Sequence, residues 1–146
     1  MADKVISVER VISASPQEIF DLLADPAMHP VLDGSGTVKS SASGNPKRLS
    51  LGAKFGMGMQ IGAPYRIRNK VAEFEEGKRI AWHHFARNFW RYELEPVNGG
   101  TRVRESFDWS KGIGPTFVLK ALGFLDRNRE GMERTLENLE KHFASK

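Results

Sequence analysis

The chain has 146 residues, which fits one folding unit and allows a sizeable core without staples. It has no cysteine, which excludes disulfides, thiol nucleophiles and cysteine-ligated metal or iron–sulfur sites. The net charge is +4, but acids are interspersed among the bases, so the balance argues for a solvated surface rather than a nucleic-acid stripe.

The N-terminal MADKVISVER is charged and lacks the apolar stretch of a secretory signal. No apolar run approaches the ~20 residues of a membrane helix. The expectation is a cytoplasmic protein without membrane insertion, one domain over residues 1–146, monomeric or homodimeric.

Residues 4–12 alternate, with Ile6, Val8 and Ile12 on one face and Ser7 and Glu9 on the other, which predicts a half-buried strand. Arg10 falls on the Ile6/Val8 face. Either it snorkels at a strand end or it enters a polar interior. Ser15, Pro16 and Glu18 then spell a helix start. The serine can cap, the proline suits the first helical position, and Glu18 completes a capping box. Ile19, Phe20, Leu22 and Leu23 supply the apolar face of a helix over 16–24. Asp25-Pro26 ends it, because the residue before proline resists helical geometry. A second short helix is predicted over 27–32.

Residues 33–50 are rich in Gly and Ser and predict a short strand around 37–41 followed by a mobile loop through Asn45-Pro46. In 53–61, Phe55, Met57, Met59 and Ile61 face one way, and Gly56 and Gly58 face the other. Alternate glycines let a strand curve sharply or let another element approach closely. Strands follow over 65–74, 79–85, 88–96 and 101–109, with Asn98-Gly99-Gly100 marking a hairpin. Two glycines and a proline in 111–115 break the sheet. Residues 116–144 then read as one long amphipathic helix, interrupted by Gly123 and Gly131, where it can bend or pack closely.

Many antiparallel strands with one long C-terminal helix make an α+β fold. A curved sheet wrapped on one helix leaves a hollow between them. Four segments carry a family resemblance: VERVISASPQEIFDLLADP (8–26), VAEFEEGKRIAW (71–82), FWRYELEPVNGGTRVRESFDW (89–109) and the long helix behind its Gly/Pro break. In order and spacing the chain resembles the START/Bet v1-like (SRPBCC) superfamily, in particular its polyketide cyclase/dehydrase-like group. The resemblance implies a helix-grip fold, in which a curved seven-stranded antiparallel sheet grips the last helix. It also implies two short helices after the first strand and an apolar cavity. It does not imply one activity, because the superfamily includes lipid carriers, receptors, cyclases and oxygenase domains.

Alternation assigns the cavity face. Phe55, Met57, Met59, Tyr65 and Trp82 come from the middle strands, and Trp90, Tyr92, Glu105, Phe107 and Trp109 from the last two. The long helix adds Phe117, Ala121 and Leu125. A mostly apolar, aromatic set with few polar groups suits a small-molecule pocket, or else a filled core. His83 and His84 are adjacent in a strand and point to opposite faces; His84 shares a face with Trp82. His84 reads as a general base, a hydrogen-bond donor, or a buried histidine satisfied by Tyr92 or Glu105. Glu105 among aromatics reads as an acid/base, an anchor for a ligand hydroxyl, or the partner of an inward Arg10.

Arg66, Arg68, Arg91, Arg102 and Arg104 fall on the outward face, with no aromatic interleaved to stack bases. Gly56-Met57-Gly58 is not a dinucleotide fingerprint, and no histidine–carboxylate group has metal spacing, so no cofactor or metal is expected. Three readings follow. The first is a carrier or sensor of a small hydrophobic ligand such as a lipid, polyketide or isoprenoid, oriented by His84, Tyr92 and Glu105. The second is a cofactor-independent polyketide cyclase or dehydratase using the same three residues. The third is a protein–protein module using the outer sheet at Arg102 and Arg104.

Overall fold

The computed structural model of the protein describes residues 5–36, 38–42, 44–61, 63–83, 88–110 and 124–144. Seven strands form one antiparallel sheet: β1 (Val5–Ile12), β2 (Val38–Ser41), β3 (Lys54–Ile61), β4 (Ala63–Glu75), β5 (Arg79–His83), β6 (Phe89–Val97) and β7 (Gly100–Asp108). Their spatial order is β1-β7-β6-β5-β4-β3-β2. Every neighbour but one is also a sequence neighbour, and the exception places β1 beside β7 at one edge. Helix α1 (Pro16–Leu23), a 3-10 turn (Pro26–Met28) and α2 (His29–Leu32) lie between β1 and β2. Helix α3 (Phe124–Ala144) packs over β1 and β7 and touches α2. This is the helix-grip arrangement that the family resemblance implies.

The α1 start follows its sequence. Ser15 Oγ accepts the Glu18 N–H at 3.2 Å, and the Glu18 carboxylate accepts the Ser15 N–H at 3.2 Å. Both halves of the capping box are therefore made. Ile19, Phe20 and Leu23 are buried, each stabilising the fold by about 1.5–3 kcal/mol through area removed from water. Asn98 and Gly99 form the two-residue turn between β6 and β7, with Val97 paired to Gly100. Gly99 needs its glycine, since its φ is 91°.

Residues 44–53 are tied to the rest of the fold by specific contacts. Asn45 exchanges two 2.9 Å hydrogen bonds with the Gly56 backbone. Leu49 is buried, and its N–H donates to the Ala24 carbonyl at 2.7 Å. Side-chain to backbone bonding and one buried leucine offset the entropy that the segment's Gly/Ser-rich composition favours. The alternate glycines of β3 serve close approach: a Cβ on Gly58 would meet the Ser40 hydroxyl, and one on Gly56 would sit 3.2 Å from Ala42 Cβ.

Gly131 plays the same part in α3. A Cβ on Gly34 would stand 2.6 Å from the Gly131 carbonyl, and one on Gly131 would stand 3.2 Å from Ser35 Cβ. Gly34 N–H donates to Thr135 Oγ1 at 2.9 Å, and Asn138 Nδ2 donates to the Leu32 carbonyl at 3.0 Å. These contacts fix the end of α2 against the long helix. Met132, Leu136 and Leu139 of α3 are buried towards the sheet.

Candidate functional site

The inner face of the sheet carries the candidate site. Strand alternation turns Val103, Glu105 and Phe107 of β7 inward, with Trp109 just beyond it, and all four are buried. Glu105 is flanked in register by Val8 on β1 and Tyr92 on β6. Phe107 is flanked by Ile6 and Trp90. The rings form a continuous lining. Trp90 and Phe107 lie 4.7 Å apart, Phe107 and Trp109 stack at 5.8 Å, and Trp82 lies 5.7 Å from Tyr92. Phe55 meets Trp82 edge to face at 5.6 Å, and Met57 is buried beside this set.

Glu105 is 3% exposed. Its Oε1 has no hydrogen-bond partner, and neither has Trp109 Nε1 or Asn88 Oδ1. Burial pushes the Glu105 carboxyl well above the usual carboxylate range, the Tyr92 hydroxyl draws it part of the way back, and Asp33 adds to the rise. Tyr92 is raised well above its ordinary value, by burial and then by Glu105. Burial thus favours the neutral form of both groups: a carboxylic acid that can donate one proton, beside a phenol.

Sequence reasoning missed His29. It sits on α2 with its ring stacked on Trp82 at 4.7 Å and 22° and set edge-on to Phe55 at 5.4 Å. Its Nε2 lies 2.9 Å from the Leu23 carbonyl. A carbonyl only accepts, so Nε2 carries the proton. Burial holds His29 below the usual imidazole range, against the upward pull of the Leu23 carbonyl, Asp25 and Asp33. The signal in the sequence was only a histidine in a four-residue helix. Nothing local says that the helix lies on Trp82.

Arg10 does not meet Glu105. It reaches solvent along α3 and pairs with Glu140 at 2.9 Å. The arginine does fall on the helix-covered face, but β1 is an edge strand, so its long stem can carry the charge out past the helix. Tyr65 departs from its expected place as well. It is 39% exposed near the tip of the β3–β4 hairpin, opposite Met59, where nearby Pro64 and Arg66 are exposed too. These residues, with Lys39, Ser40 and Gly58, line a surface depression of about 300 Å³ remote from Glu105. Met59 and Trp90 are half-buried. His84, Phe117 and Ala121 lie outside the described residues, as does the side chain of Leu125.

Three of the outward arginines pair with acids. Arg91 bridges Glu73 at 2.6 Å and Asp108 at 3.3 Å, Arg102 meets Glu95 at 2.9 Å, and Arg104 meets Glu9 at 3.0 Å. The outer face is thus a set of cross-strand ion pairs. Among the described residues no His/Cys/Asp/Glu cluster could hold a metal, and no helix is long and apolar enough to cross a membrane.

A family model described as polyketide cyclase / dehydrase and lipid transport matches residues 4–144. The chain belongs to that family. Among curated proteins it is 36% identical over 138 residues to the uncharacterized protein Rv0088 of Mycobacterium tuberculosis strain H37Rv. The match takes in 91% of this chain and 61% of that protein, so the chain spans about three-fifths of the relative's length. Among solved structures it is similar to protein Ms6760 from Mycobacterium smegmatis, with TM-score 0.74 and 15% identity over 97% of this chain and 92% of that one. It is also similar to protein NE0264 from Nitrosomonas europaea, with TM-score 0.73 and 18% identity over 97% and 94%. At such identities these likenesses concern the fold. In this polyketide cyclase/dehydrase and lipid transport family member, the buried polar side chains of the sheet include, among the described residues, Asn69, Tyr92, Thr101, Glu105 and Ser106.

Proposed function

We propose that the space between the inner sheet face and the long helix binds a small hydrophobic ligand, with Glu105 and Tyr92 orienting its polar group. The observation that carries this reading is the unpartnered Glu105 Oε1, buried on the inner sheet face between Val8 and Tyr92, with Val103 and Phe107 on the same face of its strand. A buried polar atom left without a partner costs about 1–3 kcal/mol, and a ligand hydroxyl or carbonyl removes that cost. The aromatic lining supplies the rest of the affinity by burying an apolar body. A lipid, polyketide or isoprenoid-sized molecule suits this surface. In this reading residues 1–146 act as one binding domain of a cytoplasmic protein.

Native mass spectrometry of freshly expressed protein, followed by extraction, tests the proposal. A retained lipid-like or aromatic molecule that is lost from the Glu105→Ala protein supports it. An apo mass, together with no binding of such molecules when they are added, overturns it.

A second reading rests on the same residue. A carboxyl whose burial favours its protonated form can act as a general acid, as a cofactor-independent polyketide cyclase or dehydratase requires. The two readings separate on one comparison. If Glu105→Gln leaves affinity intact and abolishes turnover of a poly-β-keto substrate, the enzyme reading holds. If affinity falls on Glu105→Ala and no turnover is found for wild type, the carrier reading holds.

A further inference from the structure

A second polar position, half-buried, borders the same aromatic set and complements the chemistry of Glu105. His29 is held by three contacts: the Trp82 stack, the Phe55 edge contact and the Nε2–H bond to the Leu23 carbonyl. That bond fixes the tautomer, so the other ring nitrogen, Nδ1, carries a lone pair. Nδ1 has no hydrogen-bond partner among the described residues. His29 and Glu105 belong to one surface, because the His29 ring stacks on Trp82, Trp82 meets Tyr92, and Tyr92 is the register partner of Glu105.

We propose that His29 Nδ1 is a specificity-determining acceptor for a ligand hydroxyl, while Glu105 serves a separate polar group of the same ligand. The proposal rests on the binding reading above and names the ligand class: an uncharged molecule with an apolar body, a hydroxyl that donates to Nδ1, and a carbonyl that accepts from the Glu105 carboxyl. Among the described residues, Tyr92, Glu105 and Asp33 give the surroundings no positive charge to hold a carboxylate or phosphate. Arg10 and Arg91 are committed elsewhere, to Glu140 and to Glu73 and Asp108. An imidazole fixed as an acceptor disfavours a ligand that lacks the hydroxyl, because the hydrogen bond is then left unmade.

The test uses two probes of one shape: an acetylnaphthol with hydroxyl and acetyl groups on opposite rings, and the acetylnaphthalene that lacks the hydroxyl. Each is titrated against wild type and His29→Phe, which keeps an aromatic ring on Trp82 and removes both nitrogens. Wild type is expected to prefer the acetylnaphthol by about tenfold. His29→Phe is expected to bind both probes alike while holding acetylnaphthalene as well as wild type does. An unchanged preference in His29→Phe overturns the role of His29 and leaves the binding pocket standing. If neither probe binds wild type, the pocket reading falls and takes the proposal with it. Should His29→Phe fold poorly, the ¹⁵N resonances of His29 in wild type decide. Nδ1 should be unprotonated in the free protein and should shift with acetylnaphthol but not with acetylnaphthalene. A protonated or unresponsive Nδ1 overturns the proposal.

Discussion

Tyr92 and Glu105 are register partners on neighbouring strands of the inner sheet face, and the Glu105 carboxyl keeps one oxygen without a hydrogen-bond partner. Two strands of ordinary alternation thus place a carboxylic acid where water cannot solvate its anion. The folded-state carboxyl is raised above its ordinary value of 4.5. Below that value its protonation adds no pH dependence, and stability is lost as pH rises towards the folded value. Glu105→Gln keeps the shape and cannot ionise. Its thermal midpoint should lie within about 1 kcal/mol equivalent of wild type at neutral pH. As pH rises, wild type should fall relative to the variant. Parallel midpoint curves for the two proteins would show that Glu105 is not held neutral.

His29 gives the opposite window. Its folded-state value lies below the ordinary 6.5. Above that value both states are neutral. As pH falls below it, the unfolded chain binds a proton that the folded chain refuses, so stability drops until the folded value is reached. Urea denaturation at neutral and mildly acidic pH should show this loss in wild type. The loss should be smaller in His29→Phe. An equal loss in both would place the acid sensitivity elsewhere.

Arg91 is the hub of the outer face, half-enclosed between Glu73 and Asp108. Arg91→Leu should cost about 1–3 kcal/mol, between the exposed and the buried limits, because two carboxylates lose their counter-charge. Glu73 is held below its ordinary carboxylate value, first by its hydrogen bond from Arg91. Its contribution is therefore present above about pH 4–5 and lost as pH falls through the lowered value. Chemical denaturation should show wild type and Arg91→Leu converging in acid. A gap that stays constant with pH would argue for lost packing rather than charge.

The loop–helix crossing predicts a contrast between two glycines. A Cβ on Gly34 would clash with Arg134 Cβ and stand 2.5 Å from the Thr135 nitrogen. Gly34→Ala should therefore cost about 1–3 kcal/mol as α2 and α3 move apart. Gly131→Ala meets only Ser35, at 3.2 Å, and gains about 1 kcal/mol of helix propensity. The Gly131 change should be nearly neutral. Thermal melts of the two variants check the ranking, and equal losses would contradict it.

At the start of α1, Ser15→Ala removes the acceptor for the Glu18 N–H and should cost about 1 kcal/mol. For a domain of this size that is roughly 2–4 °C in Tm. Ser15→Asp keeps an acceptor and should recover most of the loss. A melt of Ser15→Ala indistinguishable from wild type would show the cap to be idle.

Local chemistry made much of this protein legible in the chain. The capping box, the Asn98-Gly99 turn and the period-two alternation that turns Glu105 inward depend on atoms a few residues apart, so the sequence states them outright. The same period placed Arg10 on the covered face and could not say that an edge strand lets its guanidinium escape to Glu140. It placed Tyr65 with the core and could not say that its hairpin leaves the ring 39% exposed. His29 shows the limit most clearly. A four-residue helix carries no pattern. The tautomer is set by Leu23, six residues back, but the aromatic seat on Phe55 and Trp82 and the link to Glu105 come from segments far apart in the chain. Alternation assigns faces. Only tertiary packing decides which elements cover a face, and so which polar atoms lose their water and which keep it.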